Sequence, residues 1–196
     1  MPRHPDPQLE DLILNAAQKL WRKGGEKRLT MRVVAKAAGT NTPAVYRRFR
    51  NRLEILQALL RRLQRDLGEI IQSCQSPAEI CQRYVDFAVS HPHEYELFYD
   101  QAYQLPRPAR PGRPASLREL RPNVALMEEK LAEWLGGSAS DHSRLVLSLL
   151  IAAHGTATVL ISKAIPEEHV AELRSVFTAA VDTLIRNNAE LSLKRE

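Results

Sequence analysis

Two cysteines in 196 residues, Cys74 and Cys81, are too few for a disulfide framework. They flank a Ser76-Pro77 helix break and read as reduced thiols of a cytoplasmic protein. The opening segment MPRHPDPQLED lacks the apolar core of a secretion signal. The longest uncharged run, Leu145 to Ser162, is interrupted by Ser148, His154, Gly155, Thr156 and Thr158. It reads as too short and too polar for a membrane span. No Gly-rich phosphate loop, nucleophile elbow or HExxH is found, and His91-x-His93 has no evident third ligand. The sequence therefore points away from an enzyme and calls for no metal or cofactor.

What the chain does have is a globular composition, 44% hydrophobic and 26% charged, with its charge unevenly placed. Residues 1–56 carry 12 Lys and Arg against 5 Asp and Glu, a balance of +7, whereas residues 57–196 carry 16 against 18, or −2. A basic head on a near-neutral body is the electrostatic footprint of a polyanion binder.

Within that head, residues 30–56 read as two short helices and the start of a third. Thr30 is a good N-cap, and Val33, Val34, Ala37 and Ala38 give the first helix an apolar side. Gly39 supplies a left-handed residue for a tight turn. Asn41 or Thr42 caps the second helix, and Pro43 suits its first turn, where a missing N–H removes no helical bond. In that helix Val45 and Phe49 point inward at i, i+4, while Arg47 and Arg48 lie on other faces. Helix, short Gly-containing turn and Arg-rich helix make a helix-turn-helix signature. Before it, Leu9, Leu12, Ile13, Ala16, Ala17 and Leu20 form one face of a helix that starts at Asp6-Pro7 and ends at Gly24-Gly25.

Thr30, Ala35 to Gly39, Tyr46-Arg47-Arg48-Phe49 and Asn51-Arg52 before Leu53-Glu54-Ile55-Leu56 together resemble the DNA-binding domain of the TetR family of transcriptional regulators. The resemblance covers about 45 residues with the preceding helix included. Thr40 stands where the family usually has an apolar residue, and Arg52 where it usually has Lys. The segment HPHEYELFYD, residues 91–100, is similar to a passage common in the bodies of that family.

The rest of the chain reads as helical. A long helix runs from Leu53 to about Cys74, with Leu56, Leu59, Leu60, Leu63, Leu67, Ile70 and Ile71 as its stripe. A second opens at Ser76-Pro77 and stops at His91-Pro92, and an aromatic helix with Tyr95, Leu97, Phe98, Tyr99 and Tyr103 follows. Residues 105–116 hold four prolines and three arginines and read as a mobile loop, or a polyproline ligand. Leu117 to Leu135 reads as a helix in which Pro122 marks either a kink or the true start. Two final helices, roughly 141–165 and 167–188, are expected to close the fold. They either pair across a homodimer, as the resemblance implies, or complete the monomer's own core.

The sequence thus predicts an all-α protein, with a three-helix DNA-binding domain over 1–52 and a ligand-binding and dimerisation domain over 53–196. Geometry makes Thr42, Pro43, Ala44 and Arg47 base-facing candidates, with Ala44 and Pro43 toward thymine methyls and Arg47 toward guanine. The resemblance adds Arg32 as a second guanine reader. Thr30, Tyr46, Arg48 and Arg52 read as phosphate contacts, and Asn41 completes the DNA-binding set. Arg3 and His4 lie in a polar arm that either reaches a minor groove or is disordered.

Phe87, Tyr95, Phe98, Tyr99, Met127 and His154 are candidates to line a small-molecule site, or else plain core. The functional reading is a sequence-specific regulator, a repressor released from a pseudo-palindromic operator by a small molecule. The alternative is a helical interaction module whose basic head binds nucleic acid or acidic partners without sequence choice.

Overall fold

The computed structural model describes residues 7–100, 118 and 121–188. The N-terminal arm with Arg3 and His4 and the 105–116 loop lie outside the described residues. The described residues form nine α-helices and no strand: α1 Pro7–Gly24, α2 Met31–Ala37, α3 Thr42–Arg48, α4 Arg52–Ser73, α5 Pro77–Ser90, α6 Pro92–Asp100, α7 Pro122–Leu135, α8 Ser143–Ile161 and α9 Val170–Arg186. Single 3₁₀ turns, Gly25–Arg28, Ala139–His142 and Glu167–His169, follow α1 and precede α8 and α9.

Helix boundaries follow local chemistry. Asn51 accepts from Glu54 N at 3.0 Å and Glu54 accepts from Arg50 N at 2.6 Å, so the start of α4 is closed by side chains on both sides. Ser76 and Glu79 do the same for α5, with Glu79 N to Ser76 Oγ at 3.2 Å and Gln75 N to Glu79 Oε2 at 2.8 Å. The latter bond holds the Glu79 carboxyl below its usual range. Pro122 begins α7 rather than kinking it, with Arg121 at the N-cap.

The helices sort into two compact units. The first contains α1 to α3, α4 through Leu63, and α6. Ile13, Ala17, Leu29, Val34, Val45, Ile55, Leu59 and Leu60 are among its buried residues, each at most 2% exposed. Fully burying a leucine or isoleucine contributes about 1.5–3 kcal/mol, so this small head has an apolar core of its own.

Membership of α6 departs from a division at residue 52/53, and α1 is the reason. Trp21 Nε1 donates to His93 O at 2.6 Å, and Gln18 Nε2 donates to Glu94 Oε1 at 2.7 Å. Arg22 Nε lies 2.8 Å from Glu94 Oε2, meeting it as an ion pair rather than an aligned hydrogen bond. Glu94 is 1% exposed, and a carboxylate so buried persists only with such partners.

The second unit contains the rest of α4 with α5, α7, α8 and α9. Its core gathers Ile71, Cys74, Ile80, Val85, Met127, Leu131, Leu145, Leu149, Phe177 and Val181. Asn123 Nδ2 donates to Gln64 O at 3.1 Å, fastening the start of α7 to α4. Arg174 and Asp86, 2.7 Å apart, join α9 to α5.

The 23-residue helical stretch Ala139–Ile161 contains an 18-residue window of mean hydropathy 1.8, long and apolar enough to cross a membrane by those measures alone. By length and composition alone the run is thus neither too short nor too polar for a span, contrary to the expectation from sequence. Leu145, Val146, Leu149, Ala153 and Ala157 are buried among neighbouring helices, as in a core helix. Its opposite side is not covered: Ile151 is 64% exposed, and Val176 on α9 is 60% exposed.

Candidate nucleic-acid interface

The turn between α2 and α3 is built by three residues. Thr30, in extended conformation, accepts from Val33 N through Oγ1 at 3.2 Å and so caps α2. Ala38 N and Thr40 N return to Val34 O and Ala35 O at 2.8 and 3.0 Å, closing the helix end. Gly39 between them has φ +67°, and a Cβ there would meet nothing, so backbone conformation alone asks for glycine. Asn41 then accepts from Ala44 N through Oδ1 at 2.9 Å, which settles the cap of α3 in favour of Asn41 over Thr42.

Each helix of the motif turns one side inward. Val34 and Ala35 are buried on α2, whereas Val33, about 100° round the helix from Val34 and about 200° from Ala35, is 41% exposed. On α3 the inward pair is Ala44 and Val45, at 3% and 0% exposure, with Phe49 behind them at 6%. Ala44 is therefore a core residue. Its methyl has no surface left for a thymine, which corrects the base-contact expectation for this position.

The outward side of α3 carries Pro43, Tyr46 and Arg47, at i, i+3 and i+4, all exposed. Tyr46 is 52% exposed, so its ring stands at the surface rather than in the core. Thr42 and Arg48 are half-buried. Arg32 on α2 is exposed, and among the described residues neither it nor Arg47 has an ion-pair partner. Arg52 is different: its guanidinium is paired with Glu26 from the turn after α1, so a phosphate would have to displace a carboxylate. Exposed Lys36, in the last turn of α2, adds a further cation that motif reading passed over. Its position in a basic last turn is a signal visible in the sequence.

The six candidates for a small-molecule site are divided between the two units. Tyr95, Phe98 and Tyr99 stand on α6 in the first unit, where Tyr95 and Tyr99 pack with ring centroids 4.9 Å apart. Met127 belongs to the core of the second unit, at 7% exposure. Phe87 and His154 are half-buried in that unit. Burial first, then the charge of Arg121, pushes the His154 imidazole below its usual pKa. A cleft in the second unit is lined by other residues, none of these six. Among the described residues no three His, Cys, Asp or Glu side chains group to hold a metal. His93 faces Glu96, with Nδ1 3.1 Å from Oε2.

Two family models match the chain. "Bacterial regulatory proteins, tetR family" covers residues 13–59, and "Tetracyclin repressor-like, C-terminal domain" covers residues 78–184. Solved structures share the fold at low identity. A protein of unknown function from Rhodococcus sp. RHA1 is 24% identical, with a TM-score of 0.62 over 95% of this chain and 98% of its own. A TetR variant from Acinetobacter baumannii AYE, in complex with minocycline, is 16% identical, with a TM-score of 0.63 over 94% and 98%. The multidrug binding protein EbrR, complexed with ethidium, is 18% identical, with a TM-score of 0.57 over 90% and 99%. No curated protein matches the chain. With both halves matched and the reading motif folded as described, the chain belongs to the TetR family of bacterial regulatory proteins and is a DNA-binding transcriptional regulator.

Proposed function

We propose that this protein is a repressor that grips a pseudo-palindromic operator as a homodimer and leaves it when a small molecule binds the second unit. The observation that carries the reading is the outward face of α3. Pro43, Tyr46 and Arg47 are exposed beside Arg32, while Ala44 and Val45 anchor the helix beneath them. A helix so placed enters the major groove. There Arg47 and Arg32 pair with guanine O6 and N7, each worth about 1–3 kcal/mol of discrimination, and Pro43 and Thr42 lie against the neighbouring bases. Thr30, Asn41, Tyr46, Arg48 and Arg52 hold phosphates and set the register. Thr30 and Asn41 spend their oxygens on caps, which leaves the Thr30 hydroxyl proton and the Asn41 amide protons to donate.

Dimerisation is supported by the uncovered apolar residues of α8 and α9. Ile151 and Val176, both at least 60% exposed, are costly in a monomer and ordinary at a subunit interface. Effector release is supported by analogy with the minocycline- and ethidium-bound structures of the same fold. Two heads hold successive half-sites only at a separation of about 34–36 Å, so a ligand that prefers another separation weakens binding by its differential affinity. Such work belongs in the cytoplasm, with the DNA.

Selection of bound sequences from a random duplex pool at near-physiological salt tests the reading. Enrichment of a two-fold symmetric motif with half-sites one helical turn apart is the expected result. Binding with no enrichment would replace it with a non-specific basic module.

A further inference from the structure

The second unit holds a cleft of about 240 Å³ between α7 and the first two turns of α8. Its floor is apolar: Val124 and Val146, 6% and 0% exposed, with Leu150 half-buried and Leu147 at the edge. Its charged lining is Arg118, Arg144 and Glu128, a formal balance of +1. Glu128 is 2% exposed and already occupied. Its Oε1 accepts from Ser143 Oγ at 2.7 Å, and its Oε2 lies 2.8 Å from Arg118 Nε. With one oxygen hydrogen-bonded to Ser143 and the other ion-paired with Arg118, though not in an aligned hydrogen bond, Glu128 already has its counter-charge, and an incoming cation would have to break the Arg118 pair. Arg144 is exposed and, among the described residues, has no ion-pair partner.

The one charge left over in this cleft is therefore positive, and it stands beside an apolar floor. We propose that the cleft binds a small apolar carboxylate. The hydrocarbon part lies on Val124, Val146 and Leu150, and the carboxylate meets Arg144, with Arg118 held in place by Glu128. The volume falls below the roughly 300–1,000 Å³ usual for ligand sites, which favours a compact acid over a drug-sized molecule or a peptide. The proposal deepens the effector reading above and rests on it for its regulatory meaning. The binding itself stands on the cleft alone.

The test uses the full chain and three probes of one chain length: octanoate, octylammonium and octanol. Binding is measured by calorimetry and thermal shift near pH 7. Octanoate is expected to bind at least ten-fold more tightly than either of the others. Arg144→Gln, at an exposed position, is expected to fold normally and to lose that preference. Leu150→Trp, which fills the floor, is expected to abolish binding of all three.

Equal binding of the three probes, no octanoate binding to the wild type, or octanoate binding unchanged in both variants would each overturn the proposal. DNA selection on the same preparations separates the two readings. Enrichment of an operator without octanoate binding removes only the carboxylate site, whereas octanoate binding without enrichment removes the regulator.

Discussion

Asn41 is asked to do two things at once, and two substitutions pull them apart. Its Oδ1 accepts the Ala44 N–H at 2.9 Å and so closes the first turn of α3, a helix of only seven residues. A helix this short has few bonds of its own and depends on its cap and its packing. Asn41→Ala removes the cap and should cost about 1 kcal/mol, within the 0.5–2 kcal/mol usual for such caps. In a chain of this size that lowers the melting temperature by roughly 2–4 °C.

Asn41→Asp keeps an acceptor on the Ala44 N–H and adds a charge that suits a helix N-terminus, so stability should stay within a few tenths of a kcal/mol. The same charge faces phosphate, so the Asp variant should bind DNA at least ten-fold more weakly at about 0.1 M salt, on every sequence alike. The two tryptophans allow the first effect to be read in the right unit. Trp21 is buried in the first and Trp134 lies in the second, so denaturant titration followed by fluorescence in a Trp134→Phe background reports the head alone. Anisotropy of a labelled operator reports the second effect. An Ala variant as stable as its parent, or an Asp variant that binds DNA like wild type, would refute the assignment.

Arg47→Ala should weaken operator binding by about 1–3 kcal/mol and relax the preference at one base pair per half-site, as read by competition with single-base operator variants. Ile151→Glu combined with Val176→Glu should leave each chain folded, since both side chains are already exposed, but yield monomers in sedimentation with operator affinity reduced at least a hundred-fold. Burial, with a smaller push from Cys74, raises the Cys81 thiol to about 12, and Cys74 is raised by burial and then by Glu79. Both should resist iodoacetamide at pH 8 until the second unit unfolds. A folded pKa above the unfolded value of 9.0 makes the native state hold the proton longer, so stability falls as pH rises through the window from 9 to about 12. The Cys81 share of that slope is at most about 1.4 kcal/mol per pH unit, and Cys81→Ala should remove it.

The head was legible where its chemistry is local. Thr30, Gly39 and Asn41 act on residues within five positions of themselves, so their roles can be read from spacing. Ala44 was misplaced because alanine suits either face of a helix, and only the packing of α3 on its neighbours decides which. Glu94 was invisible for another reason. A glutamate between His93 and Tyr95 reads as solvated, and its partners Gln18 and Arg22 lie more than seventy positions earlier. Glu128 did leave a trace, since it occupies the register of Val124 and Leu131 on an otherwise apolar stripe. A carboxylate in that register needs partners, but Arg118 and Ser143 could be named only from the fold.

The docking of α6 on α1 bears on how such regulators can be recombined. A reading head that borrows a helix from about forty positions beyond its own motif is not a single cassette of sequence. A chimera cut after the third helix would carry Trp21, Gln18 and Arg22 to a foreign body without His93 and Glu94. The orphaned groups would then face whatever residues that body happened to supply. Exchange of operator specificity between relatives should therefore work by grafting the outward side chains of α3, or by two crossovers that bring α6 along, and fail with one.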